Sequence, residues 1–215
     1  MADPYGCIGT AIDNLGLDAM ACCKRDVKSG VVKVDLTELE QALQHFRATD
    51  PQGWGELQTD GFRTSTVFIE LDSIPFVPGV LELLLRYGFQ IDQKNNLGVT
   101  GLMWASVGVS DPWLIALLEA GANPNLQCTR SRMTSLHRAA FSGQMDAVCD
   151  LLRYKADVTI LDSHNKTALD YARLRHAGMP EMTTLLQAAG AAAGAAEAAA
   201  AEAVFAQRVA SLNIQ

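Results

Sequence analysis

Thr134-Ser135-Leu136-His137-Arg138-Ala139-Ala140, followed by Gly143, decides the fold of this 215-residue chain. A threonine ahead of a helix-forming run marks a helix start, because its side-chain oxygen accepts a backbone N–H that the first turn leaves free. The stretch has two counterparts, Thr100-Gly101-Leu102-Met103-Trp104-Ala105 and Thr167-Ala168-Leu169-Asp170-Tyr171-Ala172, and the three threonines lie 34 and 33 residues apart. A second helical pattern follows each: Trp113 to Leu118, Ala147 to Leu152, and Met182 to Leu186. Two short helices, each with one apolar stripe, are too small to fold alone, so the copies must stack. Stacking predicts a ladder of Leu102, Leu136 and Leu169, with Ala105, Ala139 and Ala172 small where helices approach closely. Gly121 supplies the left-handed residue that ends the second helix of its copy. Lys155 stands where the next copy needs that glycine, so it must accept a strained dihedral or the turn must differ.

Residue types and a period of about 33 residues agree over three copies. On these residues the chain resembles the ankyrin repeat family, whose pattern is a turn, T-P-L-H-x-A-A, a glycine, a leucine-rich second helix and G-A-x-x-N. A weaker copy precedes the three. Thr66 to Leu71 occupies the motif position, Val80 to Leu85 reads as the second helix, and Gly88 to Asp92 as the closing segment. Its departures are Pro75 and Pro78 between the helices and β-branched residues in the first helix. The last copy carries two extra residues around His176 to Pro180, and Pro112 sits where a first helical turn tolerates it. The expected fold is all-α: a helix-turn-helix solenoid of about four repeats over residues 60–190, an N-terminal helical capping region over 1–59, and an alanine-rich tail helix over 191–215.

The flanks follow helical spacing. Ile8, Ile12, Leu15, Ala19 and Cys22 make one stripe; Leu36, Leu39, Ala42, Leu43 and Phe46 make another, capped by Asp35 or Thr37. Trp54 lies in the loop from Asp50 to Gly61. Twelve of the sixteen residues from Ala188 to Ala203 are alanine, the strongest helix former. Gly190 and Gly194 mark the expected break before a tail helix whose larger apolar residues are Val204, Phe205, Val209 and Leu212.

Composition excludes several classes. The net charge of −7 disfavours binding along a phosphate backbone. Glu197 and Glu202 interrupt the longest apolar run, so no membrane span is expected, and the first thirty residues lack the basic start and apolar core of a secretory leader. The five cysteines are odd in number and none are spaced C-x-x-C, which points to reduced, mostly buried thiols in a cytoplasmic setting. No P-loop, dinucleotide-binding or H-E-x-x-H motif occurs. No enzyme activity, cofactor or metal is expected. The resemblance implies that the His137 ring bonds the backbone of the adjacent turn.

What remains is surface. The resemblance implies that partners meet the turn tips and the exposed positions of the first helices, which form a concave face. Transferred position by position, the candidate partner-binding residues are Leu97, Val99, Val107, Arg130, Met133, Arg138, Phe141, Lys166, Leu174 and Arg175. Residues 128–178 hold eight basic and five acidic residues, a net of +3, which leaves −10 on the rest of the chain. That asymmetry points to a protein partner with an acidic segment. The implied function is non-catalytic protein–protein binding, as a structural subunit of a larger assembly, with a cilium as one setting for an alanine-rich repeat subunit. The alternative is a free regulatory adaptor or inhibitor that targets an enzyme.

Overall fold

The computed structural model describes residues 23–25, 32–49, 76–108, 112–175 and 179–193. Among them the first element is a two-stranded antiparallel ladder, β1 (Cys23–Arg25) against β2 (Val32–Val34), with Cys23 opposite Val34. The sequence predicts a helix running to Cys23; the alternation in Val32-Lys33-Val34 is the period of a strand. Every other described element is helical. α1 (Leu36–Thr49) starts where Asp35 Oδ1 accepts the Thr37 N–H at 2.9 Å, so Asp35 is the capping residue of the two candidates. Leu39 and Leu43 are buried against α2 (Val80–Arg86), and Arg86 and the Tyr87 hydroxyl both reach Glu40, at 2.5 and 3.3 Å.

The repeated unit then appears as α3 (Gly101–Ala105) with α4 (Pro112–Glu119), α5 (Ser135–Ser142) with α6 (Met145–Arg153), and α7 (Ala168–Arg175) with a helix over residues 180–193. Thr100, Thr134 and Thr167 each accept a first-turn N–H, from Met103, His137 and Asp170. Leu102 and Leu136 are 1% exposed, and Ala105, Ala139 and Ala172 are 2% or less. Burying a leucine contributes roughly 1.5–3 kcal/mol, and the alanines let the helices approach closely enough for it. Leu169 is only half-buried. Its helix ends the described array and has a first-helix neighbour on one side alone. Leu114, Leu117, Leu118, Val148, Leu151, Met182 and Leu186 complete the core from the second helices. Trp113 is buried too and meets the Phe76 ring edge-on at 5.0 Å.

The second helices end in left-handed residues: Gly88 at φ 90°, Gly121 at 91° and Lys155 at 62°. Lys155 therefore keeps the turn and bears the strained dihedral. Pro112 opens α4, where its missing N–H costs nothing. Of the two glycines expected to mark a break, Gly190 does not interrupt the helix, and Gly194 lies outside the described residues. The last helix runs through Gly190 to residue 193, so the boundary at 190 falls inside a helix. One interior glycine costs about 1 kcal/mol, and the alanines on both sides offset that. The stripe from Ile8, the loop holding Trp54, the motif at Thr66 to Leu71, His176 and the tail helix from Ala195 lie outside the described residues.

Candidate protein-binding face

Three loops precede the first helices and stack side by side. In the first, Asn95 Oδ1 accepts the N–H groups of Leu97 and Val99, at 3.0 and 2.9 Å. In the third, Asp162 Oδ1 accepts those of His164 and Lys166, at 2.8 and 2.9 Å. The middle loop has Cys128 at this position and one more residue before its threonine; the Cys128 sulfur lies 3.0 Å from Ser131 Oγ. The three loops are joined by backbone bonds, Thr129 N–H to the Leu97 carbonyl at 3.0 Å and Ser163 N–H to the Ser131 carbonyl at 2.9 Å. Gly98, at φ 72°, leaves no room for a side chain: a Cβ there would lie 2.4 Å from the Thr129 nitrogen. Leu97 and Arg130 are exposed at the tips, while Lys166 and Met133 are half-buried.

His137 locks two of these loops together. Its Nδ1 accepts the Thr134 N–H at 3.3 Å, so the other nitrogen carries the proton and Nε2–H donates to the Lys166 carbonyl at 3.0 Å. Burial, only partly offset by these contacts, holds its pKa below the ordinary 6.5. The ring is 1% exposed and both nitrogens are occupied, so it works as a structural bridge. The same helix position holds Met103 in the first copy and Asp170 in the last. Met103 is buried with Val99 and Cys128, and Asp170 Oδ2 accepts the Thr167 N–H at 2.8 Å.

The face of the first helices turned away from the core carries two columns of side chains in repeat register. One is Trp104, Arg138 and Tyr171; the other is Val107, Phe141 and Leu174. Trp104 is 44% exposed, Val107 37%, Phe141 38% and Leu174 64%. Neighbouring copies interlock across this face. The Arg138 guanidinium lies 5.9 Å over the Trp104 ring, Phe141 meets Tyr171 edge-on at 5.7 Å, and Arg175 lies 4.0 Å over the Phe141 ring. Tyr171 is fixed in turn by its hydroxyl, which donates to Asp162 Oδ2 at 2.5 Å. That bond pushes the Tyr171 pKa up to about 12 and, with the loop N–H groups, outweighs burial to hold the Asp162 carboxyl below its ordinary 3.8.

Of the ten residues singled out from the sequence, Val99 does not belong on this face. It is 6% exposed and packs beneath the loops against Met103 and Cys128, because its N–H is drawn down to Asn95. Phe141 is exposed, as expected, at 38%, with Tyr171 and Arg175 against its ring. Arg138 frames Trp104 and Arg175 frames Phe141. Trp104 and Tyr171 were missed, although their spacing of 34 and 33 residues about Arg138 placed them in its column.

Comparison with known proteins agrees with this geometry. The pattern for ankyrin repeats (3 copies) matches residues 76–162. The Drosophila melanogaster transient receptor potential channel pyrexia is 33% identical over 117 residues, which cover 54% of this chain and 12% of that protein. The human ankyrin repeat and SOCS box protein 16 is 36% identical over 92 residues, or 43% of this chain and 20% of the relative. A putative ankyrin repeat protein of fowlpox virus, FPV031, is 36% identical over 99 residues, or 43% of this chain and 29% of its own length. The chain thus spans less than a third of each of these relatives.

Proposed function

We propose, from the premise that residues 76–162 are ankyrin repeats, that the chain is a non-catalytic protein-binding module built as a structural subunit into a larger assembly. The observation that carries the reading is the aligned face of Trp104, Val107, Phe141 and Leu174, apolar side chains left partly open to solvent where the stack does not need them. An apolar centre set among arginines is the composition of a recognition surface. The groups that could have served chemistry are committed elsewhere: His137 bridges the middle and last loops, and Cys128 sits within the middle one. No helix among the described residues is long and apolar enough to cross a membrane. The partner is another protein, met by the loop tips and this face together. The N-terminal region with α1 and the alanine-rich tail serve as ends suited to docking on neighbouring subunits, and the cytoplasm and cilium are the settings in which to look. Affinity capture with the full chain, followed by cross-linking and mass spectrometry, tests the reading. Cross-links from the first-helix face that disappear with Phe141→Ala support it; a partner held wholly through the second helices contradicts it.

A further inference from the structure

Neither the Arg138 nor the Arg175 guanidinium donates a hydrogen bond or forms an ion pair with any described residue, and Arg138 Nε is buried without an acceptor. Both are nevertheless held in place, Arg138 over Trp104 of the preceding copy and Arg175 over Phe141. A guanidinium laid on an aromatic ring keeps its planar edge of N–H groups free, and that edge matches the two oxygens of one carboxylate. On the first-helix face, stacking thus does for these arginines what an internal ion pair does for Arg86 and Arg153: it fixes the side chain, but without spending its donors on any described residue.

We propose that the partner segment seated here is an extended acidic peptide with two carboxylates three or four residues apart, one for Arg138 and one for Arg175, and an apolar side chain between them. This rests on the reading of the first-helix face as the binding surface. The spacing comes from helix geometry. Adjacent first helices pack about 8–10 Å apart, and Arg175 lies four positions beyond the register of Arg138, about 6 Å along the axis. Each guanidinium leans back by one copy, so the offset is kept at about 11 Å. Three residues of extended polyproline-like chain advance about 9 Å and return to the same side. In the two copies over which the guanidiniums lie, Val107 and Phe141 are left partly open, which suits one apolar side chain. The separation also selects against a single phosphate: two donors about 11 Å apart cannot converge on one tetrahedral group, whereas they can each take a carboxylate. A strand-long acidic ligand agrees with the charge of the region, +3 over residues 128–178 in a chain of −7 overall.

The test is a displayed library of random nine-residue peptides selected on the immobilised full chain, with binding of the winners measured by fluorescence anisotropy. Peptides enriched in Asp or Glu pairs at separations of three or four are expected. Their affinity should fall at least tenfold on Arg138→Ala, on Arg175→Ala, and on Glu→Gln at either peptide position. Arg138→Lys and Arg175→Lys, which keep the charge and lose the planar edge, should fall in between; a thermal melt of each variant shows that the fold is retained. Winners without carboxylates that still lose affinity on Phe141→Ala would overturn this proposal and leave the binding face standing. Acidic winners with no preferred separation, or indifferent to the arginines, would overturn it as well. Winners of any kind indifferent to Phe141→Ala would overturn both this proposal and the face on which it rests.

Discussion

The two faces of the first helices obey opposite rules. On the inner face the residue type recurs: leucine at 102, 136 and 169, alanine at 105, 139 and 172. On the outer face nothing recurs, as Trp104, Arg138 and Tyr171 stand in one column and Val107, Phe141 and Leu174 in the other. Each inner position packs against the equivalent position of a neighbouring copy, so packing favours one residue type, even at Leu169, which has such a neighbour on one side alone. The outer positions have the same backbone and no common neighbour to fill, and what they hold is free to follow something outside the stack. Recurrence therefore separates residues that make the fold from residues available to a partner.

The largest effect should come from the inner face. Leu136→Ala removes a buried side chain and leaves a cavity, at a cost of about 2–5 kcal/mol, and the loss should spread to neighbouring copies. Thermal unfolding checks it; a shift under one degree would mean the leucines are not a shared ladder.

His137→Ala comes next, at about 1–3 kcal/mol, because the Thr134 N–H and the Lys166 carbonyl lose their partner. The same bridge sets a pH dependence. A histidine held neutral, below its ordinary 6.5, contributes stability that is present above pH 6.5 and is lost as pH falls through its lower folded value. Asp162, held below 3.8, adds a further loss at more acid pH. Melts from pH 7.5 downward should show the first decline in the wild type and its absence in His137→Ala.

Lys155→Gly should act in the other direction. It relieves the dihedral at φ 62° and should stabilise by up to about 1 kcal/mol, read as a small rise in denaturant midpoint. On the outer face the change should be smallest: Leu174→Ala should stay within about 0.5 kcal/mol of wild type, since that side chain is 64% exposed.

What was legible in the sequence follows the same division. The copies from Thr100 onward were readable because leucine, alanine and threonine return at a fixed interval. The threonine caps, the turn at Gly121 and the strained Lys155 all follow from that register. The β1–β2 ladder was not readable, being only three residues per strand, beyond the end of a stripe from Ile8 to Cys22 that is spaced for a helix. Gly190 alone does not stop the helix, because a single glycine does so only when its neighbours are weak formers, and here they are alanines. Val99 misled for a local reason: a tip residue in the repeat pattern is pulled under the loop once Asn95 takes its N–H. Trp104 was missed because apolar residues on a helix are first assigned to the core, and only the column it shares with Arg138 shows otherwise.

On this reading the outer face adds little to the stack and binds a partner. The direct test is quantitative capture of the native partner by the doubly substituted Phe141→Ala, Leu174→Ala chain, at a temperature where both it and the wild type are folded. Phe141 contributes ring contacts to Tyr171 and Arg175, so the double variant should lose about 1 kcal/mol of stability and remain folded. Capture should fall at least tenfold, corresponding to about 1.4 kcal/mol or more of binding. Undiminished capture by a folded double variant would contradict the account.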